Sequence, residues 1–383
     1  MESNQLRFLE SAENVKALVH LRTGRGLSTT RAKEICACIR QGRQYLEASV
    51  NSPLDIRPLI QFYGVLNFAR AIVLGDRLCS ISALARGHGL RDVSASDAPI
   101  AGLTARVEAS GTFVEFNNTV SALNRLCYLD ANSHPAMVIV PTTMSAPMLD
   151  MQITLKDVLA RVPTLSGLYR NTFAEPAETE QLDHLHYDHH GNYWTTRVFG
   201  SDRAFTREGL REMLGSWRSR FPYLERWRVI EAVPAYGKAY ITLANLERGE
   251  TDDLSEQELL EYEPGHYRAQ RVEEHGSEAS RIPLDQLFLG VGGGYSNGAY
   301  AIAPYGGCYL SEFSLAYVGL YLLSSLVRYR PDAWVHAVSR SSLQDRPVDD
   351  QALALIHAFL ETTHESIPRL AIKALNPHED RYA

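Results

Sequence analysis

Disulfide pairing, a membrane span and a broad basic surface are what this 383-residue sequence lacks. Its five cysteines, Cys36, Cys38, Cys79, Cys127 and Cys308, are odd in number and scattered. That excludes a disulfide framework and favours a reducing compartment. The longest apolar run, Phe313 to Val327, is interrupted by Ser314, Ser324 and Ser325. It falls short of the about 20 residues that a membrane helix needs. Met1 to Gln5 lack the basic-then-apolar layout of a secretory signal. The expectation is a cytoplasmic protein with no membrane partner. Lys plus Arg number 38 against 45 Asp plus Glu, so the formal net charge is −7. Non-specific nucleic-acid binding draws on phosphate neutralisation and is disfavoured by that balance, although a local basic site is compatible with it. There is no Gly-Lys-Ser/Thr phosphate loop, no Gly-x-Ser-x-Gly elbow, no zinc-protease motif and no spaced cysteine quartet. Internal repeats and low-complexity tracts are also missing.

What is present is an ordinary globular composition, 45% hydrophobic and 22% charged, on a chain long enough for one large core or two domains. The acidity is local. Glu247 to Glu278 holds eleven acidic residues and three arginines, leaving the remainder near neutral. This stretch reads as a solvated insert, with a partner-docking element as the alternative.

Periodicity predicts helices at both ends of the chain. Ile35, Ile39, Leu46 and Val50 recur at helical spacing over 30–50. A second helix starts at Pro58, is apolar on more than one face and stops near Gly75, as expected of a central core helix. A third, shorter one fits Cys79 to Ala85. Ser311 caps a helix that ends at Arg328-Tyr329-Arg330 because Pro331 follows. Another starts near Asp332, and a last one runs from Val348 to His364. The middle alternates instead, predicting strands over 107–116 (with Gly111 in its turn-like part), 137–141, 183–188, 193–199 and 239–246. One helix, Thr206 to about Arg220, interrupts them, and Ser255-Glu256-Gln257-Glu258 fits a capping box for another. The fold class expected is α+β: a helical bundle built from both chain ends, residues 1–95 plus 308–383, around a strand-rich α+β insert, 96–307.

Several motifs form an ordered set. Gln41-Gly42-Arg43-Gln44-Tyr45-Leu46 precedes Arg57-Pro58-Leu59-Ile60-Gln61-Phe62-Tyr63-Gly64, then Asn67-Phe68-Ala69-Arg70-Ala71 and His88-Gly89-Leu90. Near the other end stand Tyr321 to Trp334, Phe359-Leu360 and Ile367-Pro368-Arg369-Leu370. This set, over roughly 32–130 and 310–372, resembles the YaaC-like family of bacterial proteins, which is largely uncharacterised. Arg43, Tyr63, Arg70 and Arg328 fall within these motifs and are the candidates for substrate binding. The split helical bundle also resembles HEPN-type domains, many of which are metal-independent RNases of toxin and antiviral systems. Their signature is an Arg, four to six residues, then a His, as Arg330 and His336 are spaced here. In that reading His336 transfers protons during attack of a ribose 2′-OH, and the planar fork of Arg330 braces the phosphate. The residue after the Arg is usually polar in that family, and here it is Pro331. The bland alternative is that Arg330 caps a helix end and His336 is a surface or core residue.

Arg86-Gly87-His88-Gly89-Leu90 is a second candidate, because two glycines around a histidine make a tight turn that presents the ring. A ligand-contacting or catalytic His88 shaped by Arg86 competes with a helix C-cap turn. His184, His186 and Asp188 would share one strand face, a usable metal arrangement, or simply form a polar edge strand ahead of His189-His190-Gly191. Cys36 and Cys38 point apart on their helix and read as small core residues. Gly290 to Gly298 reads as a flexible loop rather than a phosphate loop. Arg218, Arg220, Arg226 and Arg228 alternate with Trp217, Phe221, Tyr223 and Trp227. That pattern suits nucleic-acid stacking, or a helix on a sheet with snorkelling arginines. The functional expectation is a metal-independent RNase, or effector of antiviral defence or stress, acting on RNA or a nucleotide as a homodimer or with a protein partner. A non-catalytic docking subunit and a small-nucleotide binder are the alternatives. No cofactor or metal is implied.

Overall fold

The computed structural model describes residues 2–130, 132, 134–140, 148–188, 193–200, 202–245, 254–256, 258–270, 288, 291–293, 299–339 and 348–376. It is an α+β protein. The chain forms two compact units: Met1–Ser121 with Ala146–Ala177 and Leu310–Ala383, and Ala122–Ser145 with Glu178–Tyr309.

The first unit is mainly helical. Helices α1 (Glu2–Phe8), α2 (Ala12–Thr23), α3 (Thr29–Val50) and α4 (Arg57–Arg77) come from the first part of the chain. Helices α5 (Thr112–Ala122), α6 (Leu155–Arg161) and α7 (Ser166–Phe173) follow, and α9 (Glu312–Tyr329), α10 (Pro331–Ser339) and α11 (Val348–Leu375) complete the unit. The Ser28 hydroxyl caps α3 and the Ser311 hydroxyl caps α9, each accepting from the N–H three residues on. Helix α4 is long and apolar enough to cross a membrane by composition, yet most of it is buried in the core. Between Gln61 and Gly75 only Tyr63 and Arg70 are even half-exposed. Small residues let α3 and α4 approach: a Cβ on Gly42 would lie 3.0 Å from the Phe68 ring, and one on Gly64 would lie 2.9 Å from Leu46. Helix α11 packs along the same core, where the Gln61 amide donates to the Leu360 carbonyl (3.2 Å). Arg22 donates to the Gly75 carbonyl (2.5 Å) and the Ala374 carbonyl (2.9 Å), tying α2 to the ends of α4 and α11. A three-stranded antiparallel sheet, β1 (Leu90–Asp92), β2 (Thr104–Val107) and β5 (Gln152–Thr154), belongs to this unit.

The second unit carries a ten-stranded sheet. Its main order is β10 (Leu259–Glu263), β11 (His266–Ala269), β8 (Arg228–Ala235), β9 (Lys238–Ala244), β7 (Tyr193–Gly200), β6 (Thr179–Asp188), β13 (Ala299–Ile302) and β12 (Val291–Gly293). β3 (Arg125–Leu129) joins β6 in parallel and pairs with β4 (Pro135–Ile139). One sheet face buries Trp194, Val198, Ile241 and Leu243 against α8 (Arg207–Arg220) and the aromatic cluster of Trp217, Phe221, Tyr223, Trp227 and Phe288.

Four expected elements differ. Cys79 to Ala85 holds only a single 3-10 turn, Ile81–Ala83. The alternation over 107–116 is not a strand: β2 stops at Val107 and α5 begins directly after Gly111. The Ser255 box makes one turn, its carbonyl accepting from Glu258 and Leu259, and the chain then extends into β10. The last helix does not stop at His364 but runs on through Pro368. Burial of Ile367, Ala371, Ile372 and Leu375 offsets the hydrogen bond that proline cannot make. Helix packing gives a direct test. A Cβ at Gly319 would sit 2.5 Å from Cζ of the buried Phe359, so Gly319→Ala is expected to lower stability by about 1–3 kcal/mol. A urea midpoint equal to that of the wild type would contradict the α9–α11 packing.

Candidate functional site

The site is built around one turn. Gly87 and Gly89 both adopt positive φ, +85° and +79°, so the chain reverses on either side of His88. The turn docks against the start of α5. The Gly87 carbonyl accepts from the Thr112 N–H (3.2 Å), and the His88 carbonyl accepts from the Phe113 N–H (2.9 Å) and from the Tyr317 hydroxyl (3.2 Å). These bonds satisfy helix-start donors that have no partner within α5. Gly111, at φ +131°, lies so close that a Cβ there would be 2.3 Å from the Gly89 nitrogen.

The His88 ring is half-buried. Its centroid is 5.2 Å from that of Phe62 and 5.9 Å from that of Tyr321. Its Nδ1 is buried without a hydrogen-bond partner. Burial lowers its pKa, and the positive charges of Arg328 and Arg70 lower it further. At neutral pH the ring is therefore a neutral base in a positive field.

Two helices supply that field in the same way. Tyr63, Asn67 and Arg70 lie at i, i+4 and i+7 on α4, and Tyr321, Ser325 and Arg328 do so on α9, so each triplet occupies one face. Tyr63 pairs with Tyr45 at 5.6 Å between ring centroids. The Arg328 Nε donates to the Ser324 carbonyl (3.3 Å), and its guanidinium stands 5.1 Å over the Tyr329 ring. Neither Arg70 nor Arg328 has an ion-pair partner among the described residues. The nearby carboxylate of Asp92 is engaged: the Ser325 hydroxyl (2.6 Å), the Ser94 hydroxyl (2.5 Å) and the Ser94 N–H (2.9 Å) all donate to it. Burial alone would raise its pKa, but these bonds and the Arg330 charge hold it below the ordinary carboxylate value. Burial raises the Tyr321 phenol, so it stays protonated. Paired arginines, a neutral imidazole and aromatic rings can together hold a phosphate and move a proton beside it.

The residues expected from sequence divide. Arg70 and Arg328 both act electrostatically on His88, and Tyr63 adjoins Phe62 (5.9 Å between ring centroids). Arg86 is exposed at the rim of the turn. Arg43 is committed elsewhere, to Glu10 at 2.6 Å and Glu47 at 2.8 Å. Arg330 ends α9 and donates from Nη1 to the Ala95 carbonyl (2.9 Å), bracing the segment after β1, while its Nη2 is buried without a partner. His336 lies on α10, and its side chain is outside the described residues, as are the His184 side chain, His189, His190, Gly290 and 294–298. Among the described residues no three His, Cys, Asp or Glu side chains are placed to hold a metal ion. A bulge between Asp183 and His186 also breaks the expected one-face alternation. Trp217, Phe221, Tyr223 and Trp227 are buried, and Arg218 donates to the Trp227 carbonyl (2.9 Å), so these rings do not form a stacking surface. Asp92, Tyr317, Tyr321 and Ser325 were not anticipated. The repeated Tyr-to-Arg spacing of seven on α4 and α9 is the signal that could have found Tyr321.

A family model described as YaaC-like Protein matches residues 3–375. No curated protein and no solved structure matches the chain.

The geometry makes three checkable statements. In the free protein an NMR titration is expected to place the His88 pKa below its ordinary value of 6.5, and Arg328→Gln to raise it by removing a like charge. The depressed values of His88 and Asp92 both mean that the unfolded chain binds more protons, so stability falls as pH drops below about 6.5 and again below about 4. A His88 that titrates at its ordinary value would remove the positive field. Separately, Gly111→Ala is expected to cost about 3 kcal/mol in a denaturant melt, because the new methyl meets backbone that has nowhere to move.

Proposed function

From the premise that this chain belongs to the YaaC-like family, we propose that it binds a phosphate-bearing ligand, RNA or a nucleotide, at the His88 turn and transfers protons there without a metal. One observation carries the reading: a neutral, half-buried histidine flanked by two arginines, with no carboxylate paired to either among the described residues. Guanidinium forks suit phosphate oxygens, and a neutral imidazole is the form of histidine that accepts a proton.

The chemistry that follows is internal phosphodiester cleavage. His88 takes the proton of a ribose 2′-OH, and the 2′-oxygen bonds to the adjacent phosphorus. The bond from phosphorus to the 5′-oxygen breaks, and the imidazolium returns the proton to that oxygen, directly or through water. The products are a 2′,3′-cyclic phosphate and a 5′-hydroxyl. Arg70 and Arg328 hold the charge that builds on phosphorus-bound oxygen. Tyr63 lines the approach, and Arg86 adds positive charge at the rim. Arg330 is a positioning residue in this reading, holding the Asp92–Ser96 segment in place. The setting we propose is the cytoplasm, in antiviral defence or a stress response.

The test is cleavage of a labelled RNA in the presence of a chelator, with cyclic-phosphate ends scored. Wild type is expected to cleave. His88→Ala is expected to lose about 10²-fold or more in rate, and Arg70→Gln and Arg328→Gln about 10-fold or more each, with circular dichroism unchanged. If His88→Ala retains full activity while Arg330→Ala and His336→Ala lose it, the reaction belongs to the Arg330–His336 pair and this reading fails. If wild type neither cleaves nor binds RNA or nucleotides, the phosphate-site reading fails altogether.

A further inference from the structure

The groups around His88 define the charge of the ligand more closely than phosphate chemistry in general requires. Helix α4 presents Arg70; α9 presents Tyr317, Tyr321 and Arg328; β1 presents Asp92. Glu108, just past β2, acts on Tyr321 but is paired with Arg91 at 3.3 Å. Glu115 of α5 is taken by Arg77 at 2.8 Å. The Asp92 charge is met by three donors and by Arg330. Both tyrosines are protonated. The balance left facing the ring is two guanidinium charges, and beside them stands a buried imidazole nitrogen, Nδ1, that lacks a partner.

We propose, building on the reading above, that the site recognises a terminal phosphate, the monoester dianion at the end of an RNA strand or on a mononucleotide, rather than an internal phosphodiester alone. A diester phosphate carries one charge and would leave one guanidinium unmatched. A terminal phosphate carries up to two charges and three acceptor oxygens, and its second ionisation falls near pH 6. It can therefore meet both arginines at once. Its protonation also lies close to that of histidine, so the pair can hold one proton between imidazole and phosphate oxygen. Binding of the dianion cancels the field at His88: a ring kept neutral by burial and by two like charges loses that repulsion, gains an anionic oxygen as partner and takes up a proton. No bond of the ligand is made or broken in this step; one proton leaves solvent and bonds to the ring nitrogen. For RNA, the terminal phosphate would then anchor the strand and set which neighbouring linkage reaches the site.

The test is titration calorimetry on the full chain with four probes: AMP, adenosine, and one short RNA carrying either a 5′-phosphate or a 5′-hydroxyl. The RNA carries a 2′-O-methyl group at every ribose, so that cleavage cannot occur. AMP is expected to bind at least about tenfold more tightly than adenosine, and the 5′-phosphorylated RNA about tenfold more tightly than its 5′-hydroxyl twin. Repeating the titration at pH 7.5 in buffers of different ionisation heat is expected to show net proton uptake, up to about one per ligand, that His88→Gln abolishes. Arg328→Gln, on the half-exposed end of α9, should erase the preference for the phosphorylated probe even if the His88 variant folds poorly. Equal binding of the two RNAs overturns the terminal-phosphate inference while leaving the diester reading intact. Preference for phosphate without proton uptake removes His88 from the contact. Failure of all four probes to bind takes the proposed function down with it.

Discussion

The site depends on two glycines whose backbones touch. Gly111 can approach Gly89 only because neither has a side chain and each can hold a positive φ. That approach brings the carbonyls of Gly87 and His88 to the open N–H groups at the start of α5. The turn and the helix thus complete each other's hydrogen bonds. With the backbone of His88 held by Phe113 and Tyr317, its ring has one direction left, toward Phe62 and Tyr321. Strand β1 leaves the turn on the other side and carries Asp92 to Ser325.

Helix burial accounts for the character of the arginines. Helices α4 and α9 are largely enclosed; between Gln61 and Gly75 α4 opens only at Tyr63 and Arg70, and α9 opens at its two ends, Arg328 among them. Arginine survives at such positions because its stem packs on apolar neighbours while the head stays wet. Arg43 and Arg22 show the alternative in the same unit. Both are satisfied by the protein itself, Arg43 by two glutamates and Arg22 by two helix-end carbonyls. An arginine left without such a partner keeps its full charge for something else.

Much of the helical unit was legible. The Ser311 cap, Pro58 in the first turn of α4 and the apolar periodicity of α3, α4 and α9 are local signals, and local physics honours them. Helix α5 was not legible. Phe113, Val114 and Phe116 carry strand-forming character, and Gly111 looks like a turn inside an alternating run. What makes the segment helical is a contact with residues 87 to 89, which no local pattern announces. The Ser255 box failed for the converse reason: its first turn forms, but pairing of β10 with β11 takes the chain over. At the site, His88, Arg70, Arg328 and Tyr63 could be named from motifs. Asp92 could not, because its meaning rests on Ser325, 233 positions away. Arg43 was visible as a charge within its motif, while its partner Glu10 sits 33 positions upstream.

Arg22 binds carbonyls at the ends of two helices that are separated by some three hundred positions, Gly75 on α4 and Ala374 on α11. A chain made from its amino end must therefore wait. When α4 leaves the ribosome, its apolar surface has α3 for company but neither α9 nor α11, and the Arg22 latch has only one of its two anchors. The second unit is fully synthesised by residue 309, before either of those helices exists. The order of closure thus runs opposite to the order in which the units begin: the strand-rich middle is ready to fold first, and the helical unit that begins the chain is the last to close. In the interval its half-built core is the surface most in need of a chaperone.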